Sequence, residues 1–512
     1  MHASLKRWLF LLHRWLGVAL CLLFALWFVS GMVMMYVGYP KLTEAERLGH
    51  LPALHADAAL LAPQEALRRA GVQQPLAQLR LNMGSAGRAT YLATPLSPSS
   101  GARTAMAIDA ATGQPLAATD AQAALATARH YAEAEPSYAG TVTEDAFTHS
   151  RNLDAHRPLH RVDLDDAAGT RLYVSGSTAQ VVRDASRSER GWNYVGAWLH
   201  WLYPLRGGLW DRYWADTVNG LSLAGIALAL SGTVVGIWRW RFATRYRSGR
   251  RTPYPGRMMR WHHVSGLLFA AVTLTWIFSG LMSMNPWKIF DSPQRAVDMK
   301  LWQPAGLALS SAAPPAQLLA SPLLQGVREL RWSQAPDSGL QVVAYGAHGD
   351  RQVLDAATGQ ALSYGKEQLL TAAARLSKAP ITGHQWLTDY DFHYYARADH
   401  SMTGGMGKPL PVLRVMYGDE ARTWLHLDAR TGMPLGQVDR RQRTQRWLFA
   451  LLHSWDWLPL LERRPLWDGV LIALSLGGLL LSGTGVAVAW RRLRKKLRPH
   501  HRQGNAGLPV RH

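Results

Sequence analysis

Four stretches of this chain, 15–36, 217–238, 264–285 and 469–490, each run 22 residues without a charged side chain. At 1.5 Å of rise per residue, about 20 such residues cross the roughly 30 Å hydrocarbon layer of a bilayer as a helix. The chain is therefore expected to cross a membrane four times. Basic clusters abut these stretches. Lys6, Arg7 and Arg14 precede the first. Arg239, Arg241, Arg245, Arg247, Arg250, Arg251, Arg257 and Arg260 separate the second from the third. Arg491, Arg492, Arg494, Lys495, Lys496, Arg498, Arg502 and Arg511 follow the fourth. Together they carry nearly all of the net charge of +21. The positive-inside rule puts all three on the cytoplasmic side and makes membrane lipid their natural partner, so the charge does not signal nucleic-acid binding.

Both termini are then cytoplasmic, and the long segments 37–215 and 287–467 lie outside. This is the layout of a multi-pass protein of a bacterial inner (plasma) membrane with large periplasmic loops. The first stretch ends in SGMVMMYVGYP without a small-residue cleavage site, so it reads as an anchor and not a signal peptide. Cys21 is the one cysteine, which excludes an intramolecular disulfide and any cysteine-built zinc or iron–sulfur site.

The two halves of the chain resemble each other. LLHRWLGVALCLLFALWFVSGMVMMY aligns without gaps on RWHHVSGLLFAAVTLTWIFSGLMSMN, setting His13 on His262, Gly17 on Gly266, Trp27 on Trp276 and Ser30-Gly31 on Ser279-Gly280. SGTVVGIWRWR matches SGTGVAVAWRR, and AWLHWLYP matches ALLHSWDWLP, pairing His200 with His453. In the outer loops AIDAATGQPLA resembles VLDAATGQALS, and the segments 157–182 and 408–436 also align. Each reads as strand, Asp-x-x-Thr-Gly turn and strand, with helical stretches nearby. YVSGSTAQVV lacks that turn sequence.

The expected fold class is an integral membrane α-helical protein with four transmembrane helices and an internal two-fold repeat, carrying two periplasmic α+β domains. The expected boundaries are helix 1 at 1–37, outer domain 1 at 38–190, and an interfacial helix with helix 2 at 191–245. A basic loop at 246–260 and helix 3 at 261–286 follow. Outer domain 2 at 287–443, an interfacial helix with helix 4 at 444–492 and a basic tail at 493–512 complete the chain.

Histidine at matching places is what duplication for stability alone does not explain. His13, Gly17, Leu20, Phe24, Trp27 and Gly31 share one helical face, and so do His262, Gly266, Phe269, Thr273, Trp276 and Gly280. A histidine with a glycine one turn along suits a flat porphyrin, since imidazole binds the iron and the missing side chain makes room for the ring. The plain alternative is an interfacial anchor. His263 rivals His262 but lies about 100° round the helix, so the two do not serve one iron. His200 and His453, in aromatic surroundings before spans two and four, could hold a second, outer haem or could be incidental to interfacial helices. A 22-residue span is roughly 33 Å long, so an outer haem needs those helices to dip inward.

Two outer segments are rich in His, Tyr and Asp. One carries His149, His156 and His160. The other carries His384, Asp389, Asp391, His393, Tyr394, Tyr395 and His400. Their spacing matches no specific metal motif, and His149, His156, His384, His393, Tyr394 and Tyr395 are candidates for a substrate pocket. No GxGxxG follows a strand, so no nicotinamide or flavin domain is visible.

LHRWLG, WHHVSG, the SG-T-G span ends and the Asp-x-x-Thr-Gly repeats resemble the PepSY-associated transmembrane family, over nearly the whole chain. Within it the chain is similar to FoxB-type ferric-siderophore reductases. The resemblance implies four spans, two periplasmic PepSY-like domains and two b-type haems. It also implies electron transfer across the membrane to siderophore-bound iron, from an unidentified donor, either a quinol or a cytoplasmic reductase. The alternative is a non-enzymatic, membrane-anchored PepSY module that binds a ligand or regulates a peptidase.

Overall fold

The computed structural model describes residues 3–56, 59–96, 104–292, 296–395 and 407–497. His400 and most of the basic tail expected at 493–512 lie outside the described residues. Among the described residues seven longer helices run in chain order: α1 (Ala3–Met34), α2 (Ala121–Tyr131), α3 (Trp214–Arg239), α4 (Arg257–Leu268), α5 (Ala270–Ser283), α6 (Lys366–Ala374) and α7 (Leu466–Leu497). The chain divides into a helical unit, 1–33 with 199–287 and 447–512, and a sheet unit, 34–198 with 288–446.

In the helical unit, α1, α3 and α7 are each long and apolar enough to cross a membrane, which makes this a membrane protein. Their ends follow local chemistry. Gly38 and Pro40 follow the end of α1. Arg239 closes α3 where a cation meets the negative end of the helix dipole, and Asp468 sits in the first turn of α7 beside the positive end.

The expected third span is not one straight helix. It breaks between α4 and α5 with a bend of 67°. No proline marks the break. Phe269 leaves helical geometry (φ −104°, ψ 10°), and its ring occupies the place a Cβ would take on Gly477 of α7. The bend thus follows a long-range contact.

Among the described residues the sheet unit contains fourteen strands. From the first outer loop come β1 (Leu76–Ser85), β2 (Arg88–Pro95), β3 (Met106–Asp109), β4 (Pro136–Val142), β5 (Leu159–Leu164), β6 (Arg171–Ser175) and β7 (Val181–Ala185). From the second come β8 (Glu329–Gln334), β9 (Leu340–Tyr345), β10 (Arg351–Asp355), β11 (Ile381–Leu387), β12 (Val412–Tyr417), β13 (Trp424–Asp428) and β14 (Pro434–Val438).

The expectation of one separate domain per outer loop is corrected here. β1 pairs antiparallel with β8, so both loops join in a single six-stranded sheet of order β10-β9-β8-β1-β2-β3. One face buries Leu79, Leu81, Tyr91, Ile108, Leu330, Trp332, Val342 and Leu354. Burying a core across β1 and β8 protects two strand edges that would otherwise stay open. The remaining strands form two four-stranded sheets, β4-β5-β6-β7 and β11-β12-β13-β14. α2 packs on the first through Ala124 and Ala128, and α6 on the second through Leu369 and Ala373.

The Asp-x-x-Thr-Gly turns are built by their side chains. Asp109 Oδ1 accepts from the backbone N–H of Ala111 and Thr112, and Asp355 Oδ1 does the same for Ala357 and Thr358. Gly113, Gly359 and Gly432 take φ of +77°, +72° and +68°, where glycine is favoured. The apparently aberrant segment makes the same turn. Ser175 Oγ replaces the aspartate, accepting from Ser177 N at 3.3 Å and Thr178 N at 3.2 Å. Ala179 stands at the glycine position with φ +54°.

Candidate functional site: two facing histidine pairs

Four histidines of the helical unit meet as two pairs. His13 of α1 faces His262 of α4, with ring centroids 6.3 Å apart and planes inclined by 34°. His200 faces His453 at 6.1 Å and 71°. All four come from the positions that the repeat singled out.

Each ring is fixed through Nδ1. His13 Nδ1 donates to the Leu228 carbonyl at 3.3 Å, and His262 Nδ1 to the Leu481 carbonyl and Thr484 Oγ1, both at 3.3 Å. In the other pair, Ser30 Oγ spends its proton on the Trp27 carbonyl at 3.2 Å, which leaves it to accept from His200 Nδ1 at 2.9 Å. Ser279 does likewise, donating to the Trp276 carbonyl at 3.0 Å and accepting from His453 Nδ1 at 3.0 Å. All four imidazoles thus carry the proton on Nδ1, a tautomer assigned from the bonding network, and keep the electron pair on Nε2.

That arrangement has the dimensions of a shared metal. An imidazole nitrogen lies about 2.0 Å from the metal it binds. It lies roughly 1.15 Å from its ring centroid, given ring bonds near 1.35 Å. Two imidazoles on opposite sides of one ion therefore place their centroids about 6.3 Å apart. Both pairs stand close to this spacing, at 6.3 and 6.1 Å.

The glycines complete the setting. A Cβ on Gly232 would stand 2.6 Å from His13 Cε1, so that glycine makes room for the ring itself. Gly31 and Gly280 lie under His200 and His453, where a Cβ would come to 3.6 and 3.7 Å. At Gly17 and Gly266 a Cβ would meet only ordinary contacts, the nearest at 3.8 and 3.4 Å. The chain's own packing therefore does not demand glycine there, and side chains of Cys21, Leu228 and Leu481 already stand at contact distance.

His263 does not share this role. Its Nε2 donates to the Gly236 carbonyl at 2.8 Å, so its Nδ1 accepts from Thr252 Oγ1 at 2.8 Å. With both nitrogens committed and the opposite tautomer, it is a buried fastener between α4, the end of α3 and the basic loop. Trp27 is also occupied, its indole N–H donating to the His200 carbonyl at 3.0 Å. That bond holds the His200 segment against α1 at the level of Ser30. Ser30 lies 17 residues past His13, about 25 Å along the helix axis.

The expected substrate-pocket residues do not form one group. His149, which pairs with Glu144, and His156, which pairs with Ser175 Oγ at 3.0 Å, belong with the β4–β7 sheet. His384 is exposed on the edge strand β11. His393 packs against Phe392 and Trp424, Tyr394 stacks on His426, and Tyr395 lies edge-on to Tyr390. The two sets sit on different sheets because each outer loop builds its own four-stranded sheet. Among the described residues, no three His, Cys, Asp or Glu side chains gather as a metal site.

Sequence reading did not assign roles to Ser30, Ser279, Thr484, Gly232 or Gly485. A signal existed for the serines, since Ser-Gly recurs at one place in the gapless alignment. For the others the alignment misleads by two residues. It matches Ser231-Gly232 to Ser482-Gly483, whereas the contacts match it to Thr484-Gly485. Gly232 lies under His13 and Gly485 beside His262. Ser231 and Thr484 each donate to the carbonyl that holds the corresponding histidine, Leu228 or Leu481.

No curated protein matches the chain significantly. The family model described as the PepSY-associated TM region matches residues 10–492, nearly the full length. The chain belongs to the PepSY-associated transmembrane-region family.

Proposed function

We propose that this protein is a haem b-containing oxidoreductase of the bacterial inner membrane that passes electrons outward to a periplasmic ferric siderophore and releases Fe(II). The observation that carries the reading is the pair of facing histidine couples, each at a centroid spacing that two imidazoles holding one metal ion between them would have. Haem bound there would supply one-electron redox chemistry.

The chain's own residues do the rest. His13 and His262 would hold one haem, His200 and His453 the other. The Leu228 and Leu481 carbonyls and the Ser30 and Ser279 hydroxyls fix each ring's tautomer and orientation, as outer partners of metal-bound histidine do. The substrate is an Fe(III) chelate, which binds Fe(II) far more weakly, so one electron frees the metal. The electron donor is a quinol or a cytoplasmic reductase. Both termini and the basic loop belong to the cytoplasmic side, and the sheet unit to the periplasm. Recurrence of the same bonds in both halves supports an internal two-fold repeat, with the bent α4–α5 pair counted as the fourth span.

The test is an absorption spectrum of the purified protein, oxidised and dithionite-reduced, with a pyridine haemochrome count. Two b haems per chain are expected, with His13→Ala and His453→Ala each losing one. A colourless protein, produced with ample haem, would overturn the reading in favour of a membrane-anchored ligand-binding module. Fe(II) capture from a ferric hydroxamate or catecholate then tests the substrate.

A further inference from the structure

The six-stranded sheet has a second face that is charged. In the β1–β8 ladder Arg80 lies opposite Arg331 and Asn82 opposite Glu329. Glu329 is fully buried. Its Oε1 accepts from Arg47 Nη2 at 3.1 Å and Arg331 Nη2 at 2.6 Å. Its Oε2 accepts from Arg47 Nη1 at 2.9 Å and Asn82 Nδ2 at 2.7 Å. Those bonds fill the roughly four acceptor sites of a carboxylate. Glu44 takes up Arg47 at 3.2 Å and Arg331 at 2.7 Å.

Arg80 is left over. Its closest carboxylate oxygen is Glu329 Oε2 at 3.8 Å, its side chain is only 19% exposed, and its Nε is buried without an acceptor. Among the described residues no hydrogen bond reaches its guanidinium. Three cations thus share two anions. Burial above all, with repulsion from Arg47 and Arg331, disfavours the Arg80 charge despite the attraction of Glu329. The field extends to His156, whose pKa burial and then Arg80 push down to about 4. On the same strand face, Ser333 is buried two residues along from Arg331, and its hydroxyl also lacks a partner. Folded proteins seldom leave such groups unsatisfied, because each costs about 1–3 kcal/mol and charged ones more.

We infer that Arg80 forms the floor of an oxyanion site on this face, built to take a carboxylate or phosphate group of a ligand. The planar guanidinium fork matches either group with two parallel N–H···O bonds. Glu329, its acceptor sites already filled, positions Arg47 and Arg331 around the site and gives Arg80 no hydrogen bond. The proposal stands apart from the redox reading, since it uses no residue of the histidine pairs.

The experiment is thermal unfolding of the full-length protein in detergent, in sodium chloride, citrate or phosphate at matched ionic strength. Wild type is compared with Arg80→Gln, Arg80→Lys and the exposed control Arg88→Gln. Citrate or phosphate should raise the wild-type and Arg88→Gln midpoints by several degrees over chloride, and which anion does so identifies the group recognised. Arg80→Gln should lose that shift, and Arg80→Lys most of it. In chloride Arg80→Gln should melt at or above wild type, because it sheds a surplus buried charge. The same anion shift in Arg80→Gln, or no shift in wild type, overturns the proposal. So does a lower melting point or failure to fold of Arg80→Gln in chloride, which would make Arg80 a structural counter-charge.

Discussion

Glu329→Gln removes one charge from the sheet unit while keeping its shape, and the structure sets the scale of the damage. Four donors converge on the carboxylate, three of them from Arg47 and Arg331. An amide offers one acceptor oxygen and turns its NH2 toward donors it cannot accept from. Breaking a buried ionic network by removing one partner costs about 3–5 kcal/mol. For a unit of this size 1 kcal/mol moves a midpoint by roughly 2–4 °C, so the drop should be on the order of 10 °C. The assay is thermal unfolding of the detergent-solubilised protein followed by the far-ultraviolet signal of the sheets, with the exposed Glu133→Gln as control. The charge balance makes a second demand. Glu329→Gln removes the carboxylate that lies 3.8 Å from Arg80 and partly offsets the repulsion from Arg47 and Arg331, while that repulsion stays. The double variant Arg80→Gln/Glu329→Gln should therefore be more stable than Glu329→Gln alone. A drop within 2 °C of the control, taking the scale of roughly 2–4 °C per kcal/mol, would refute the role of Glu329 as hub. A double variant no better than the single would refute the repulsion.

Gly232→Ala places a Cβ 2.6 Å from His13 Cε1, whereas a Cβ on Gly483 meets nothing within 4 Å. The first substitution should disturb or abolish one haem signal and the second leave the spectrum unchanged, and the reverse order would reject the two-residue offset between α3 and α7. His263→Ala should destabilise by about 1–3 kcal/mol, from the unpaired Gly236 carbonyl and Thr252 hydroxyl, and retain full haem content. A missing haem would return His263 to the ligand set. Burial, the largest cause in each case, lowers the pKa of His156 and His393 to about 4 and of His426 to about 3. Between pH 6.5 and 4 the unfolded chain therefore binds protons that the folded chain does not. The contribution of these histidines is complete above pH 6.5 and is lost as pH falls through that window. Each tenfold loss of proton affinity on folding is worth about 1.4 kcal/mol for a fully buried group, and less for the half-buried His393. An unfolding midpoint unchanged from pH 7 to 4.5 would contradict this.

Helix-forming stretches and the places of the paired histidines were legible in the sequence because both are local. A charge-free run of about 20 residues needs no knowledge of its neighbours to be read as a span. The gapless match of His13 with His262 similarly needs only two helices in one register. The choice between His262 and His263 was not local. It depends on Thr252 and Gly236, which reach His263 from a loop and another helix. The break at Phe269 carries no proline or glycine of its own and depends on Gly477 more than 200 residues away. Strand turns were legible where aspartate and glycine announced them and hidden at Ser175-Ala179, where serine and a positive-φ alanine do the same work. The joining of β1 to β8 left no trace in either segment, because antiparallel pairing constrains alternation within a strand and not the identity of its neighbour.

That joining has a consequence for how the protein is made. The bond from Asn82 to Glu329 closes across 247 residues. At about 5–20 residues per second, β8 is synthesised roughly 12–50 s after its partner strand. Throughout that interval β1, already paired with β2 on one side, presents an open edge on the other. An open edge is a template for any strand that reaches it first. A nascent chain with one half made is thus a sticky intermediate, and a gene cut between the halves would yield two fragments that each need the other's edge. Selection against wrong partners during those seconds bears on β1 and β8 together. The charged side chains of Arg80, Glu329 and Arg331, awkward for an apolar intruder, stand where the two edges meet.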